Sequence, residues 1–328
     1  MKRFLHKSCY LMLCLIVSVQ FTGCRYFSKK IPPAEQFSNA EQLRKDGRLL
    51  DAVERYDTLV SQHPDSELVP PALYYSGAIK YTISGQAIGP KTLKARENGL
   101  SEGKKTRYNA WIEYMKDHQD AFSYVEGLDR YLYKGNDFKT LIEKHPSSNL
   151  VDDAAFQLIR LHVHGKQSTK TFRLDYALQL YTDYFTAYPQ SPYRAKALEH
   201  LGTLADKGSA MVNNDAIGTA FKEFSTAASD LPGFRPLAYT LALSFLESGD
   251  RSGAASILGV PSVIGIGTVD TERTRLNIRS GQGTNTRIVT KVEKGGRLLL
   301  LDQSGTWYKV LLPDGTTGYA HRDFIRET

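Results

Sequence analysis

Apolar side chains recur at helical spacing through the middle of the chain. Between residues 174 and 188 they stand three, four, seven and eight positions apart, which places them on one stripe of an α-helix. The stripe consists of Ala177, Leu180, Tyr181, Tyr184, Phe185 and Tyr188. Comparable stripes precede Pro64 and Pro232. This pattern predicts amphipathic helices that each bury one face against a neighbour.

The helical pattern repeats along the chain. Four segments align on Pro64, Pro146, Pro189 and Pro232; the last two gaps are 43 residues each, and the first is 82, close to twice that spacing. We therefore expect a divergent unit between the first two prolines. In three segments a serine follows two residues after the proline, and we expect it to cap the next helix. These serines are Ser66, Ser148 and Ser191.

A unit made of a helix, a Pro-x-Ser turn and a second helix resembles the tetratricopeptide (TPR) repeat, especially in the TPR-like lipoproteins of the outer-membrane β-barrel assembly machine. The resemblance spans residues 35–259 and implies an all-α solenoid whose groove binds protein partners. Two features depart from the family: the spacing is longer, and a Gly-Asn-Asp run interrupts a helix at residues 134–137. For the basic insertion 85–107 we expect a solvated loop, with contact to anionic lipid or polymer as the alternative.

After Gly259 the pattern changes to short β-rich runs. The runs RIVTKV, RLLLLDQ and WYKVLL are separated by Gly, Asn and Asp turns, which is typical of a small barrel. The Pro-Asp-Gly sequence at 313–315 favours a hairpin turn, because Pro fixes φ and Gly accepts positive φ. Strand alternation puts one set of side chains in the barrel and the other on its surface. The two sets are Trp307, Lys309 and Leu311, and Tyr308, Val310 and Leu312.

Four stretches of this region are similar to the bacterial SH3 (SH3b) family. They are LNIRSG at 276–281, a Lys-Gly-Gly turn at 294–296, GTWYKV at 305–310 and DGTTGY at 314–319. The resemblance implies an SH3-like β-barrel. Several members of the family bind peptidoglycan or its peptide bridges.

On this basis Arg279, Trp307, Tyr319 and His321 are the candidate ligand surface. Flat aromatic rings suit peptide or sugar faces, and a basic side chain suits the carboxylate of a stem peptide. The alternative is that, in a domain this small, the aromatic side chains form the core.

The N-terminus has basic residues followed by an apolar run at 9–21, too short for a hydrocarbon core that needs about 20 residues. It is typical of a secretory signal. Thr22 and Gly23 then lead into Cys24, which resembles a bacterial lipobox, although Phe21 stands where that family usually has an aliphatic residue. The resemblance implies cleavage before Cys24 and acyl chains, palmitate among them, on that cysteine. An uncleaved membrane anchor and an ordinary secreted protein are the alternatives.

The charge and the reactive residues exclude several classes of function. Removing the basic residues of the signal lowers the formal net charge from +7 to +4, which does not argue for nucleic acid. Cys9 and Cys14 lie within the signal. His162 and His164 are two residues apart, so on a helix they point in different directions. HExxH and Walker motifs are absent from the sequence. We therefore expect no enzyme, no cofactor and no metal.

The predicted architecture is multidomain, α then β: an all-α TPR-like helical solenoid followed by a small SH3-like β-barrel. The bounds are a signal peptide at 1–23, lipidated Cys24 with a tether at 24–34, helical repeats at 35–259, a linker at 260–270 and the barrel at 271–328.

The predicted function is a lipid-anchored scaffold of the cell envelope, on the outer membrane facing the periplasm. It would bind protein partners through the helical groove and peptidoglycan or peptide through the barrel. Alternatives are an accessory lipoprotein of outer-membrane protein assembly, and a wall hydrolase whose catalytic residues escape motif analysis.

Overall fold

Helices make up most of the described chain as far as Leu258. The computed structural model describes residues 31–206, 213–272 and 275–328, so the predicted signal peptide and Cys24 lie outside the described residues. The helices are α1 Pro33–Lys45, α2 Leu49–Gln62, α3 Val69–Gln86, α4 Pro90–Arg96, α5 Glu102–Asp117, α6 Asn136–Lys144, α7 Val151–Ser168, α8 Leu174–Ala187, α9 Arg194–Asp206, α10 Asn214–Ala228, α11 Phe234–Glu247 and α12 Arg251–Leu258. Helix α1 begins inside the predicted tether 24–34, because the Pro32-Pro33 pair starts the helix.

The four prolines of the sequence repeat stand between paired helices. The pairs are α2 with α3, α6 with α7, α8 with α9, and α10 with α11. The predicted stripe of α8 faces inward: Ala177, Tyr181 and Phe185 are almost completely buried. This confirms the fold class, a TPR-like array of helix pairs whose apolar stripes form the core.

The serines after the prolines act differently from the prediction. The hydroxyl of Ser66 accepts a hydrogen bond from the N–H of Leu68 at 3.2 Å, and those of Ser148 and Ser191 do the same for Leu150 and Tyr193. Helix α3 begins only at Val69, so the hydroxyl cannot reach the free N–H groups of its first turn. The expectation of a helix cap was therefore wrong; each serine closes the turn before the helix.

The divergent unit is folded and largely helical. The expected loop at 85–107 was wrong, because it contains α4 and the start of α5. A hairpin follows, with β1 Phe122–Val125 and β2 Arg130–Tyr133. The carboxylate of Asp129 accepts hydrogen bonds from the N–H groups of Lys91 and Thr92 at 3.1 and 2.6 Å. The hairpin is thereby fixed to the first turn of α4.

Tyrosine is a main component of the helical core, and this predicts sensitivity to alkali. Burial raises the pKa of Tyr184 and of Tyr239 to about 12. An unfolded tyrosine, with a pKa of about 10, loses its proton first, so the folded state binds more protons between these values. The free energy of unfolding should therefore fall as pH rises above about 10.

The measurement is urea unfolding across this pH range, followed together with tyrosinate absorbance. Tyr184→Phe should weaken the pH dependence, whereas Tyr176→Phe, at an exposed position, should not. A free energy of unfolding that stays constant as pH rises above about 10 would contradict the prediction.

The C-terminal region is a seven-stranded antiparallel sheet. Its strands are β3 Gly265–Val269, β4 Arg275–Arg279, β5 Ile288–Glu293, β6 Arg297–Ser304, β7 Trp307–Leu311, β8 Thr317–His321 and β9 Ile325–Glu327, in the order β5-β4-β8-β7-β6-β3-β9. Strand β3 lies within the predicted linker 260–270, where it pairs with β6 and β9. The linker prediction was therefore wrong in its bounds: the barrel begins at Gly265.

The barrel is docked on the helices through strand β6. Leu298 and Leu300 belong to the barrel core, whereas Leu299 and Leu301 belong to the buried cluster of the helical region. The hydroxyl of Tyr239, on α11, donates to the backbone oxygen of Arg297 at 2.9 Å. Residues 298–301 of β6 are therefore buried on both faces of the strand, and the two domains share a continuous apolar interface.

Candidate ligand surface of the C-terminal barrel

The four predicted site residues lie on one outer face of the barrel. They are on neighbouring strands β4, β8 and β7. Arg279 is paired with Tyr319 across β4 and β8, and Trp307 is paired with His321 across β7 and β8. Tyr319 and His321 are two residues apart on β8, so their side chains share a face. The structure thus brings all four together.

The alternation along β7 separates core from surface. Tyr308 and Val310 are completely buried in the barrel core, while Trp307 is half-buried and Lys309 is exposed. The hydroxyl of Tyr308 donates to the carboxylate of Glu327, and burial together with this bond raises the pKa of Tyr308. The inward positions hold the barrel together, which leaves Trp307 and Lys309 on the outside.

An aromatic cluster forms one end of this face. The rings of Trp307 and His321 meet edge to face, with centroids 5.1 Å apart. The ring of Phe324 lies 5.9 Å beyond His321 and is 43% exposed. Sequence reasoning missed Phe324; the signal was a large apolar residue in the polar run HRDFI after the last predicted strand. Three rings thus form a continuous aromatic cluster.

A basic group forms the other end. The guanidinium of Arg279 donates through Nη1 to the backbone oxygen of Thr286 at 2.7 Å, which fixes the side chain against the loop that follows β4. A guanidinium carries five N–H donors, so further donors remain available for a bidentate contact with a carboxylate. Lys309, opposite Tyr319 on β7, adds a second cation beside it.

In the part of the chain that the structure describes, no group of three or more His, Cys, Asp or Glu residues is placed to hold a metal ion. Within the same residues, none of the helices has both the length and the apolar character that crossing a membrane requires.

Comparison with known proteins gives one domain assignment. Residues 274–326 match the family described as the bacterial SH3 domain. None of the curated proteins compared matches the chain. Among solved structures, the chain is similar to a tetratricopeptide repeat protein from Parabacteroides merdae ATCC 43184, with 16% sequence identity, 69% of this chain and 77% of that chain covered, and a TM-score of 0.23.

At that TM-score the likeness carries no weight for the fold, so the helix pairs themselves support the TPR-like description. The match to the bacterial SH3 domain, by contrast, coincides with the sheet that carries the candidate surface. The C-terminal part of this chain therefore belongs to the bacterial SH3 domain family.

Proposed function

We propose that this protein is a lipid-anchored scaffold of the cell envelope, on the outer membrane facing the periplasm. Acyl chains on Cys24 would hold it on the bilayer, because each buried CH₂ contributes about 0.8 kcal/mol. The helical repeats would bind protein partners, and the bacterial SH3 domain would bind a peptide of the cell wall. Its action would be to hold these parts together, without chemistry of its own.

The observation that supports wall binding is the composition of the outer face of β4, β8 and β7. Aromatic rings at Trp307, His321 and Phe324 can pack on peptide or sugar, and Arg279 can bind a carboxylate. A stem peptide of the wall offers both a peptide surface for the rings and a carboxylate for the guanidinium. Leu311, at the other end of β7 from Trp307, packs on the helices together with Leu299 and Leu301, whereas Trp307 and Phe324 are not part of that buried cluster.

Co-sedimentation with purified sacculi tests the proposal. A chain beginning at Arg25 should pellet with sacculi, and Trp307→Ala should reduce its affinity at least tenfold, because an aromatic anchor of an interface contributes about 2 kcal/mol or more. Arg279→Ala should do the same. Arg326→Ala, which removes an exposed cation from the opposite edge of the sheet, is the matched control and should pellet normally.

Three outcomes would count against parts of the proposal. If the unchanged chain stays in solution, the barrel does not bind wall. If all variants pellet equally, another surface binds. A clearing band on a zymogram of the purified protein would favour the wall hydrolase instead.

A further inference from the structure

A cavity of about 570 Å³ lies in the helical region, away from the barrel. It opens between the C-terminal end of α3, strand β2, the start of α6 and the second half of α7. Its volume falls within the range of ordinary ligand pockets. The helix pairs and the inserted hairpin build it together, so it exists only in the folded repeat.

The charged residues that line this cavity are all cations. Lys134, Lys139 and Lys166 line it, and no Asp or Glu is among its lining residues. The ammonium of Lys134 donates to the backbone oxygen of Gln119 at 2.7 Å. Lys139 and Lys166 are exposed, and neither forms an ion pair with any residue in the described part of the chain. Their charges are therefore available to an anionic ligand.

Two histidines in the wall respond to this positive charge. Burial lowers the pKa of His162, and the charges of Lys139 and Lys166 lower it further. The pKa of His164 is lowered by burial and by two arginines, Arg130 and Arg160. Both histidines are thus held neutral at pH 7, where each ring offers one donor and one acceptor.

The remaining wall suits side chains of a peptide. Tyr81, Leu132 and Leu161 supply apolar surface, and Tyr176 is 39% exposed at the rim. The ring of Tyr81 lies 6.3 Å from that of His164. A site made only for phosphate has no use for this apolar surface, whereas a peptide buries its side chains on it.

A second groove of about 750 Å³ lies next to this cavity, between α8 and α10. Lys166 and Tyr176 line both. The second groove also has acidic residues: Asp215 and Glu223 line it on α10, and Asp175 lines it in an ion pair with Arg173. A uniformly anionic polymer or a lipid headgroup array would be repelled there, while an extended peptide can place different side chains at each end.

We propose that these adjacent cavities bind an extended segment of a protein partner, with its acidic side chains in the basic cavity between β2, α6 and α7. The proposal rests on the proposed role of the helical repeats in binding proteins and specifies the chemistry of the partner. It requires an acidic segment that also carries apolar or aromatic side chains. It is independent of the ligand of the barrel.

Fluorescence anisotropy tests the proposal with a defined probe. The probe is a short, labelled peptide with blocked ends that alternates Glu with Leu and Tyr, and its control has Gln in place of every Glu. The chain beginning at Arg25 should bind the acidic peptide and bind the neutral one at least tenfold more weakly. The double variant Lys139→Glu, Lys166→Glu should lose at least tenfold in affinity for the acidic peptide, because attraction becomes repulsion.

A second double variant controls for the change in net charge. Lys104→Glu, Lys116→Glu alters two exposed lysines on α5 that line none of the cavities described above, and it should bind the acidic peptide normally. NMR titration supplies a local readout: the bound acidic peptide should raise the pKa of His162, since an anion favours the imidazolium.

Sacculus binding measures the barrel, whereas peptide binding measures the helical cavity, so the two can fail independently. Both double variants should still pellet with sacculi if the barrel binds wall. Equal affinity for the acidic and neutral peptides, or no binding of either, would overturn the inference and leave sacculus binding untouched. Binding to vesicles of anionic lipid that depends on Lys139 and Lys166, without binding of the peptide, would overturn it in favour of a membrane contact.

Discussion

Replacing Lys80 with methionine is expected to lower the free energy of unfolding by about 3–5 kcal/mol, the usual cost of removing one partner of a buried ion pair. The ammonium of Lys80, on α3, lies 3.1 Å from a carboxylate oxygen of Asp57 on α2 and 3.1 Å from one of Asp137 on α6. The side chain of Lys80 is 7% exposed and that of Asp137 is 13% exposed. One lysine therefore joins three helices.

The loss should be large because the Asp137 carboxylate is buried away from water, and Lys80 is the cation that compensates its charge. Burial raises the pKa of Asp137, while Lys80 and a hydrogen bond from Tyr133 oppose that rise. Without Lys80 the pKa of Asp137 should rise further. A carboxyl group with a raised pKa in the folded state contributes stability at low pH that is lost as pH rises through the folded pKa. The substitution should therefore lower the free energy of unfolding more at neutral pH than at mildly acidic pH.

Urea unfolding at two pH values measures the effect. The double variant Lys80→Met, Asp137→Asn should recover part of the loss, because it removes the uncompensated charge. Lys91→Met is the matched control: its ion pair with Glu126 lies on the exposed surface, so the free energy of unfolding should barely change. If Lys80→Met unfolds at the same urea concentration as the unchanged chain, the network does not hold the helices together.

Aspartate at both Leu301 and Leu311 is expected to separate the barrel from the helices. Both leucines are buried in the cluster that continues into the helical core, and each is worth about 2–5 kcal/mol when truncated. A carboxylate in that apolar interface costs more, because it has no partner there. Both domains should stay folded, since the barrel core is formed by other side chains, including Leu298, Leu300 and Tyr308.

Small-angle scattering distinguishes separation from unfolding. The double variant should show a larger radius of gyration with unchanged helical circular dichroism. Leu300→Asp, on the same strand but facing the barrel core, should instead unfold the barrel and remove the near-ultraviolet signal of Trp307. An unchanged scattering profile for the double variant would mean that polar contacts, such as Arg297 with Glu247 at 2.6 Å, hold the domains together.

The sequence predicted those parts of the fold that are set by local pattern. The stripe of α8 and the proline turns were sufficient for the helix pairs, because 3.6-residue periodicity reports which face is buried. The four side chains on the barrel face followed from two-residue alternation and the SH3b motifs. Their role in binding stays a prediction.

The parts set by contacts between distant segments could not be predicted in the same way. Lys80 is the one lysine of α3, and a lysine on a helix is ordinarily exposed; the approach of α6 buries it. The helices α4 and α5 were missed because their polar sequence carries a weak apolar stripe. The docking of the barrel did leave a signal, because the unbroken leucine run of β6 is typical of a strand buried on both faces.

That leucine run also limits how the chain can be divided. A cut at Gly259 would leave Leu299, Leu301 and Leu311 uncovered on the barrel, and it would uncover the apolar side of α11 and α12 on the helices. Uncovered patches of this kind promote aggregation in a soluble protein. Although its fold is shared with a family of small independent modules, the barrel in this chain depends on the helices to cover its apolar side. Point variants, which keep both halves joined, are the appropriate way to assign a function to either one.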